Sequence, residues 1–404
     1  MPGRIGHLGD VMAALRTEGI RYAIRDLAVL ADKLTSEGRE IIPLNLGDPL
    51  QFDFRTPPHM IEAVTKALCD GKNTYAPSLG ADEALEAVRA EAERNGIRNI
   101  QSVFITAGVT EGVDICLTAL VNPGENVLTP CPEYPLYSAV LAKLGAQPNT
   151  YLLDEGDDWQ PDLDHLRSRI FTGTRAIVLI NPNNPTGAVY SRQTLEAIAE
   201  MARQNNLVIV SDEIYDKLIL DGMPHIPIAS LAPDVPVVTL NGLSKSYQVP
   251  GWRVGWGVVS GEAAAVKPYV EGIHKLLRAR LCSNHPQQYG VRPALEGPQN
   301  HLVEVLRKLR ARRDLTVDWC RRTPRVSCVP PRGAFYAFPS LDIEDRDEDF
   351  VKQLLLEKHV LVVHGSGFDQ APGTRHFRIV FLPDEATLSR AYAGIGAFLA
   401  EHYR

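Results

Sequence analysis

The sequence predicts an α/β protein: a large unit whose mostly parallel sheet is flanked by helices, beside a smaller α+β unit. Three observations carry this. Apolar runs of strand length recur at Glu125–Thr129, Ala176–Ile180, Leu207–Val210 and Val235–Leu240, with helix-like periodicity between several of them. Motifs with small, polar or charged residues follow directly on four strand-length runs, SVFIT, AIVLI, LVIV and VPVVTL. The last part of the chain alternates short strand patterns with two helical ones, and 404 residues suffice for two units that share a cleft.

Taken in order, residues 81–96 (ADEALEAVRAEAERNG) read as an amphipathic helix, and Ser102–Thr106 as a strand that stops at Ala107-Gly108. A helix follows from near Thr110. The four apolar runs come next, then a further strand in GWRVGWGVV, a long helical stretch from about Gly261 into the 280s, and a helix near Gln299–Cys320. Strands at Ala334–Phe338, Val360–Val363 and Phe377–Phe381, with two helices, make up the smaller unit. The expected division is an arm at 1–55 that folds back on the small unit, a large unit at 56–295 and a small one at 296–404. There is no internal repeat and no low-complexity tract.

Composition narrows the function. Hydrophobic residues make up 45% and charged residues 23%, the balance of a soluble globular protein. A net charge of -7 without any Lys/Arg-rich run argues against nucleic-acid and anionic-membrane partners. Small molecules and a second copy of the chain are the expected partners. Cys69, Cys116, Cys131, Cys282, Cys320 and Cys328 are scattered without a C-x-x-C pair, so reduced thiols and no metal are expected. The start, MPGRIGHLGD, lacks an apolar leader core, and no apolar run approaches the ~20 residues that span a bilayer. A cytoplasmic location is expected.

In an open parallel sheet, ligands bind beyond the carboxyl ends of the strands. Four strand exits here carry chemistry. After SVFIT, small Ala107 and Gly108 admit an anion to the backbone, and Val109 and Thr110 open a helix whose free N–H groups favour phosphate. After AIVLI comes NPNNPTG, a loop stiffened by two prolines that presents the Asn184 amide. After LVIV, Asp212 heads SDEIY, where a carboxylate beside a buried run calls for a cation, and Tyr215 follows. After VPVVTL, NGLSK supplies Lys245 among small residues, suited to a nucleophile, and Arg253 lies eight residues on. Each motif alone is also compatible with a plain turn, helix cap or surface lysine; together they define one site.

At these residues the chain resembles the fold-type-I, class I/II aminotransferases, which depend on pyridoxal 5'-phosphate. LNLGDP, TYAPSLG, TAGVTEG, PEYPLY, NPNNPTGAVYS, SDEIYDKL, NGLSKSYQVPGWRVGW, RGAFYAFP and HFRIVFL stand in the family's order and spacing. Within that class it is most similar to microbial alanine aminotransferases, in YAIRDLAVLADKL, LNLGDPLQFDF, DWQPDLD, RLCSNHPQQ and VVHGSGF. The resemblance implies that Lys245 holds the cofactor covalently and that Asp212 keeps its ring nitrogen protonated. It implies that Asn184 and Tyr215 bind its phenolic oxygen and that Tyr134 stacks on its ring. Gly108, Val109, Thr110, Ser244 and Arg253 would hold its phosphate, with Tyr75 contributed by a partner subunit, which makes a homodimer with interfacial sites. Arg378, flanked by apolar residues, would bind the substrate carboxylate beside Gly47 and Asn184, a structural salt bridge being its alternative. Tyr22 and Arg25 would cover the site, with Arg25 meeting the side-chain carboxylate of glutamate. One departure is Gly242, where many of the wider class have a phosphate-binding Ser or Thr.

The implied reaction is a two-stage transfer from alanine to 2-oxoglutarate, giving pyruvate and glutamate, with amino acids and 2-oxo acids as substrates. Aspartate or aromatic transamination, aminocyclopropane-carboxylate synthesis and a C–S lyase reaction are alternatives on the same scaffold. An aminotransferase-like regulator of transcription would need a basic DNA-binding unit ahead of LNLGDP, where only about 40 residues stand.

Overall fold

The computed structural model describes residues 11–20 and 23–403, except for the side chains of residues 23–26. An eight-stranded sheet forms its centre. In chain order the strands are β1 (Ile100–Thr106), β2 (Asn126–Cys131), β3 (Gln147–Asp154), β4 (Gln160–Pro161), β5 (Thr174–Ile180), β6 (Val208–Asp212), β7 (Val237–Gly242) and β8 (Gly255–Ser260). Across the sheet they run β1-β8-β7-β6-β5-β2-β3-β4. The block β7-β6-β5-β2-β3 is parallel, as expected, whereas β8 runs antiparallel to both neighbours and β4 antiparallel to β3.

The apolar runs read as strands because both faces of this sheet are covered. In β5, Ile177 and Leu179 join one core with Ile209 and Val237, while Ala176, Val178 and Ile180 join the other with Val210 and Leu240. Ala84 and Val88 of the helix Asp82–Arg94 and Ile198 of Arg192–Asn205 cover the first face. Val113 and Leu117 of Val109–Leu120, with Val266 and Ile273 of Ala263–Ala279, cover the second. Burying each such side chain fully contributes about 1.5–3 kcal/mol.

A further core joins the two ends of the chain: Leu44 and Phe54 pack with Phe335, Phe350, Ile379 and Phe398. The segment that carries LNLGDP is therefore tied to the C-terminal third, where Leu44 N–H donates to Leu361 O (2.8 Å) and Leu44 O accepts from Val380 N–H (2.9 Å).

Three elements differ from expectation. The long helix after Gly261 ends at Ala279, two residues before Leu281 turns left-handed at φ 78°, and a separate turn His285–Gln288 carries Pro286 as its second residue. Val360–Val363 is two short strands, Val360–Leu361 and Val363–His364, and Ala334–Phe338 pairs only at Tyr336–Ala337. No described helix is long and apolar enough to cross a membrane.

Candidate active site

Register places the functional loops. Ile180, Asp212 and Leu240 are neighbours across β5, β6 and β7, and Gly242, Gly255 and Thr106 across β7, β8 and β1. Because β8 is antiparallel, its start lies at the same sheet edge as the ends of the others, which brings Arg253 to Gly108, Asp212 and Lys245. The result is a cleft of about 750 Å³ lined by Val109, Thr110, Tyr134, Asn184, Asp212, Tyr215, Ser244, Lys245, Arg253, Gly47 and Arg378, among others.

Lys245 donates from Nζ to Gly47 O at 2.8 Å. Burial pushes its pKa down to about 8, opposed by the Asp48 charge and helped by Arg253 and Arg378. A substantial fraction of this amine is therefore neutral near pH 7.5, which a surface lysine is not. Asp212 has the converse problem: buried at 4% exposure, it is pushed up to about 6 by burial. It accepts from Tyr137 Oη (3.2 Å) and Ile214 N–H (3.2 Å) and makes no ion pair with any described residue.

The other end of the cleft is built for an anion. Gly108 caps the helix Val109–Leu120 at φ 81°, and the first turn of a helix has N–H groups with no partner inside it. The Arg253 guanidinium lies over Gly108 so closely that any Cβ there would collide with it, and it donates to Ala107 O (3.2 Å) and Pro250 O (2.9 Å). Arg253 itself takes left-handed backbone at φ 52°, an uncommon state for a side chain of its size. At Gly242 a Cβ would fall 2.7 Å from Val254 O, so β8 leaves no room for a Ser or Thr there. Ser244, buried two residues on, lines the cleft instead.

Arg378, only 2% exposed, donates to Asn184 Oδ1 (3.0 Å) and to Asn45 O, and its guanidinium lies between the rings of Tyr336 and Phe368, 4.7 Å from each centroid. Tyr215 Oη lies 2.8 Å from Tyr336 Oη. Gly47 is required by close approach, since a Cβ there would meet the Tyr336 hydroxyl and Phe335 2.8 Å away.

Most residues singled out from sequence thus share one cleft. Tyr75 does not line it and is 78% exposed. Tyr22 lies outside the described residues; Arg25 sits in the helix Ala23–Ser36, its side chain outside them. Sequence reading missed Asn45, Asp48, Tyr137 and Tyr336. Tyr137 lies three residues after Tyr134 in PEYPLY, so helical spacing was an available signal; Tyr336 was hidden in the apolar RGAFYAFP.

A lysine held near its titration point, a buried carboxylate without a cation and an anion cradle in one cleft define an enzyme that forms a covalent bond to an anionic cofactor. The family profile described as "Aminotransferase class I and II" matches residues 39–395, and the chain belongs to that family. Glutamate-pyruvate aminotransferase AlaA of Haemophilus influenzae is 41% identical over 379 residues, 92% of this chain and 93% of that protein. Alanine aminotransferase of Mycobacterium tuberculosis is 41% identical over 381 residues, 92% and 88% of the two chains. The solved alanine aminotransferase from Pyrococcus furiosus superimposes with a TM-score of 0.93 at 40% identity, over 97% of this chain and 100% of that one. The family's cofactor is pyridoxal 5'-phosphate. The site fits it: Asp212 lacks a cation, the helix start and Arg253 suit a phosphate, and the cleft has room for a planar ring.

Proposed function

We propose that this enzyme transfers the amino group of alanine to 2-oxoglutarate, giving pyruvate and glutamate in two half-reactions. The observation that carries the reading is the shared cleft of Lys245, Asp212 and Arg378, reached from three separate strands. Bound there, pyridoxal 5'-phosphate supplies an aldehyde that takes up the amino group and a ring that accepts the electron pair released at the substrate Cα. Asp212 would keep a proton on the ring nitrogen, which would supply the positive charge that its buried carboxylate calls for. Tyr215 and Asn184 would donate to the phenolic oxygen, Tyr134 would cover the ring, and Val109, Thr110, Ser244 and Arg253 would hold the phosphate.

Arg378 binds the substrate carboxylate and so fixes which Cα bond stands perpendicular to the ring. Lys245 Nζ would be the group that holds and moves the substrate Cα proton; a pKa of about 8 suits an amine that must both take up and give back a proton. Gly47 would bring its own backbone against the same carboxylate, and the family resemblance assigns Tyr22 and Arg25 to the second substrate, with Arg25 meeting its side-chain carboxylate.

The same proposal includes a cytoplasmic homodimer in which the exposed Tyr75 reaches the phosphate of the partner subunit. Residues 56–295 would form the cofactor-binding unit, and 296–404 with 1–55 the unit that carries Arg378. A coupled assay with alanine and 2-oxoglutarate tests the reading: pyruvate formation with loss of the visible absorbance on adding alanine is expected. Rapid turnover of aspartate with none of alanine would overturn it.

A further inference from the structure

Tyr336 stands where the two ends of the site meet. Its short strand pairs antiparallel with Phe377–Val380, so the strand that carries Arg378 also fixes the Tyr336 backbone. Its hydroxyl is 2.8 Å from that of Tyr215, and the two rings meet edge to face at 5.6 Å. Its ring face backs the Arg378 guanidinium at 4.7 Å, opposite Phe368. We infer that Tyr336 is a positioning residue with two separable duties: its hydroxyl donates to Tyr215, and its ring holds the plane of Arg378.

Proton counting sets the direction of the first duty. A phenol has one proton to donate. In the function proposed above, on which this inference rests, Tyr215 gives its proton to the phenolic oxygen of the cofactor. The bond between the two tyrosines then takes its proton from Tyr336. Donation into a hydroxyl polarises it and strengthens the bond it makes in turn, so Tyr336 reinforces the hold of Tyr215 on the negative oxygen. The ring acts separately. A guanidinium between two aromatic faces keeps a fixed plane, and the carboxylate of a substrate meets a fork already set.

Two substitutions separate the duties. Tyr336→Phe keeps the ring and loses the donor. The protonation midpoint of the bound cofactor, followed by visible absorbance, is expected to rise by about half a pH unit, because the phenolic oxygen's charge is less well stabilised. The dissociation constant of the cofactor-free protein for pyridoxal 5'-phosphate should rise several-fold, with propionate binding to that protein unchanged. Tyr336→Leu removes the ring, and propionate binding should weaken about tenfold. If Tyr336→Leu fails to fold, Tyr336→Met, similar in length, serves the same arm. An unmoved midpoint and affinity in Tyr336→Phe would overturn the hydroxyl duty; unchanged propionate binding without the ring would overturn the other. A wild-type protein that takes up no pyridoxal 5'-phosphate would instead overturn the cofactor reading, and the propionate arm would still decide the ring.

Discussion

Arg378 and Asn184 are joined by a 3.0 Å hydrogen bond from the guanidinium to the side-chain amide oxygen, across 194 residues of chain. With its oxygen engaged by the arginine, the asparagine keeps its NH2 group as a donor to the cleft, so in the proposed function this one contact orients a group for the substrate and a group for the cofactor. Lysine in place of Arg378 keeps the charge and loses the planar fork. Arg378→Lys is expected to raise KM for alanine about 10- to 100-fold, the worth of one charge-assisted hydrogen bond. Steady-state kinetics with a cofactor titration check this; an unchanged KM would assign Arg378 to structure alone.

Asp212 is expected to destabilise the cofactor-free protein. Its folded pKa, about 6, lies above the ordinary 3.8, so the unfolded chain ionises first. Stability in the cofactor-free protein therefore falls as pH rises from about 4 to 6 and stays reduced above. About two units correspond to roughly 2–3 kcal/mol at neutral pH. Asp212→Asn should unfold later than the wild type in the cofactor-free form at pH 7.5, lose that advantage near pH 4, and have little activity. Denaturant titration at the two pH values measures it. A variant less stable at both would show that the carboxylate is already compensated.

The clamp between Arg312 and Asp53 ties the LNLGDP segment down. Arg312, 1% exposed, places Nη2 at 2.8 Å from both carboxylate oxygens of Asp53 and stacks over Phe54 at 5.1 Å. Removing one partner of a fully buried pair costs about 3–5 kcal/mol; with Asp53 half exposed, about 1–2 kcal/mol is expected for Asp53→Ala. The urea midpoint should fall accordingly, and KM should rise because Gly47 and Asn45 lie on the tethered segment. An unchanged midpoint would leave the clamp without effect.

How much of this could be read from sequence depended on where each signal lay. The strands β5, β6 and β7 were legible because both their faces are covered, so each contains an apolar run ahead of its polar exit. β3 was not, because its burial alternates near the sheet edge and polar Gln147 and Asn149 break the run. The reversal of β8 is set by the short link from Leu243 to Val254, and no residue in GWRVGWGVV announces strand direction. Lys245, Asp212 and Asn184 were legible as polar groups at strand exits. Tyr336 and Arg312 act through partners far along the chain, so their neighbours in sequence gave no hint of them.

Mixing tests the shared site. Lys245→Ala subunits carry an intact Tyr75, and Tyr75→Ala subunits an intact Lys245. Random re-pairing would restore one native site in each mixed dimer, or about a quarter of all sites. Activity at limiting cofactor should rise on mixing to about that share. No rise, with dimers present by sedimentation, would place Tyr75 outside the partner's site.

The most direct test of the account is reduction of the enzyme by borohydride in the presence of pyridoxal 5'-phosphate, followed by peptide mass analysis. A single stable adduct on Lys245, absent when alanine is added first, is the expected result. An adduct on another lysine, or none at all, would contradict it.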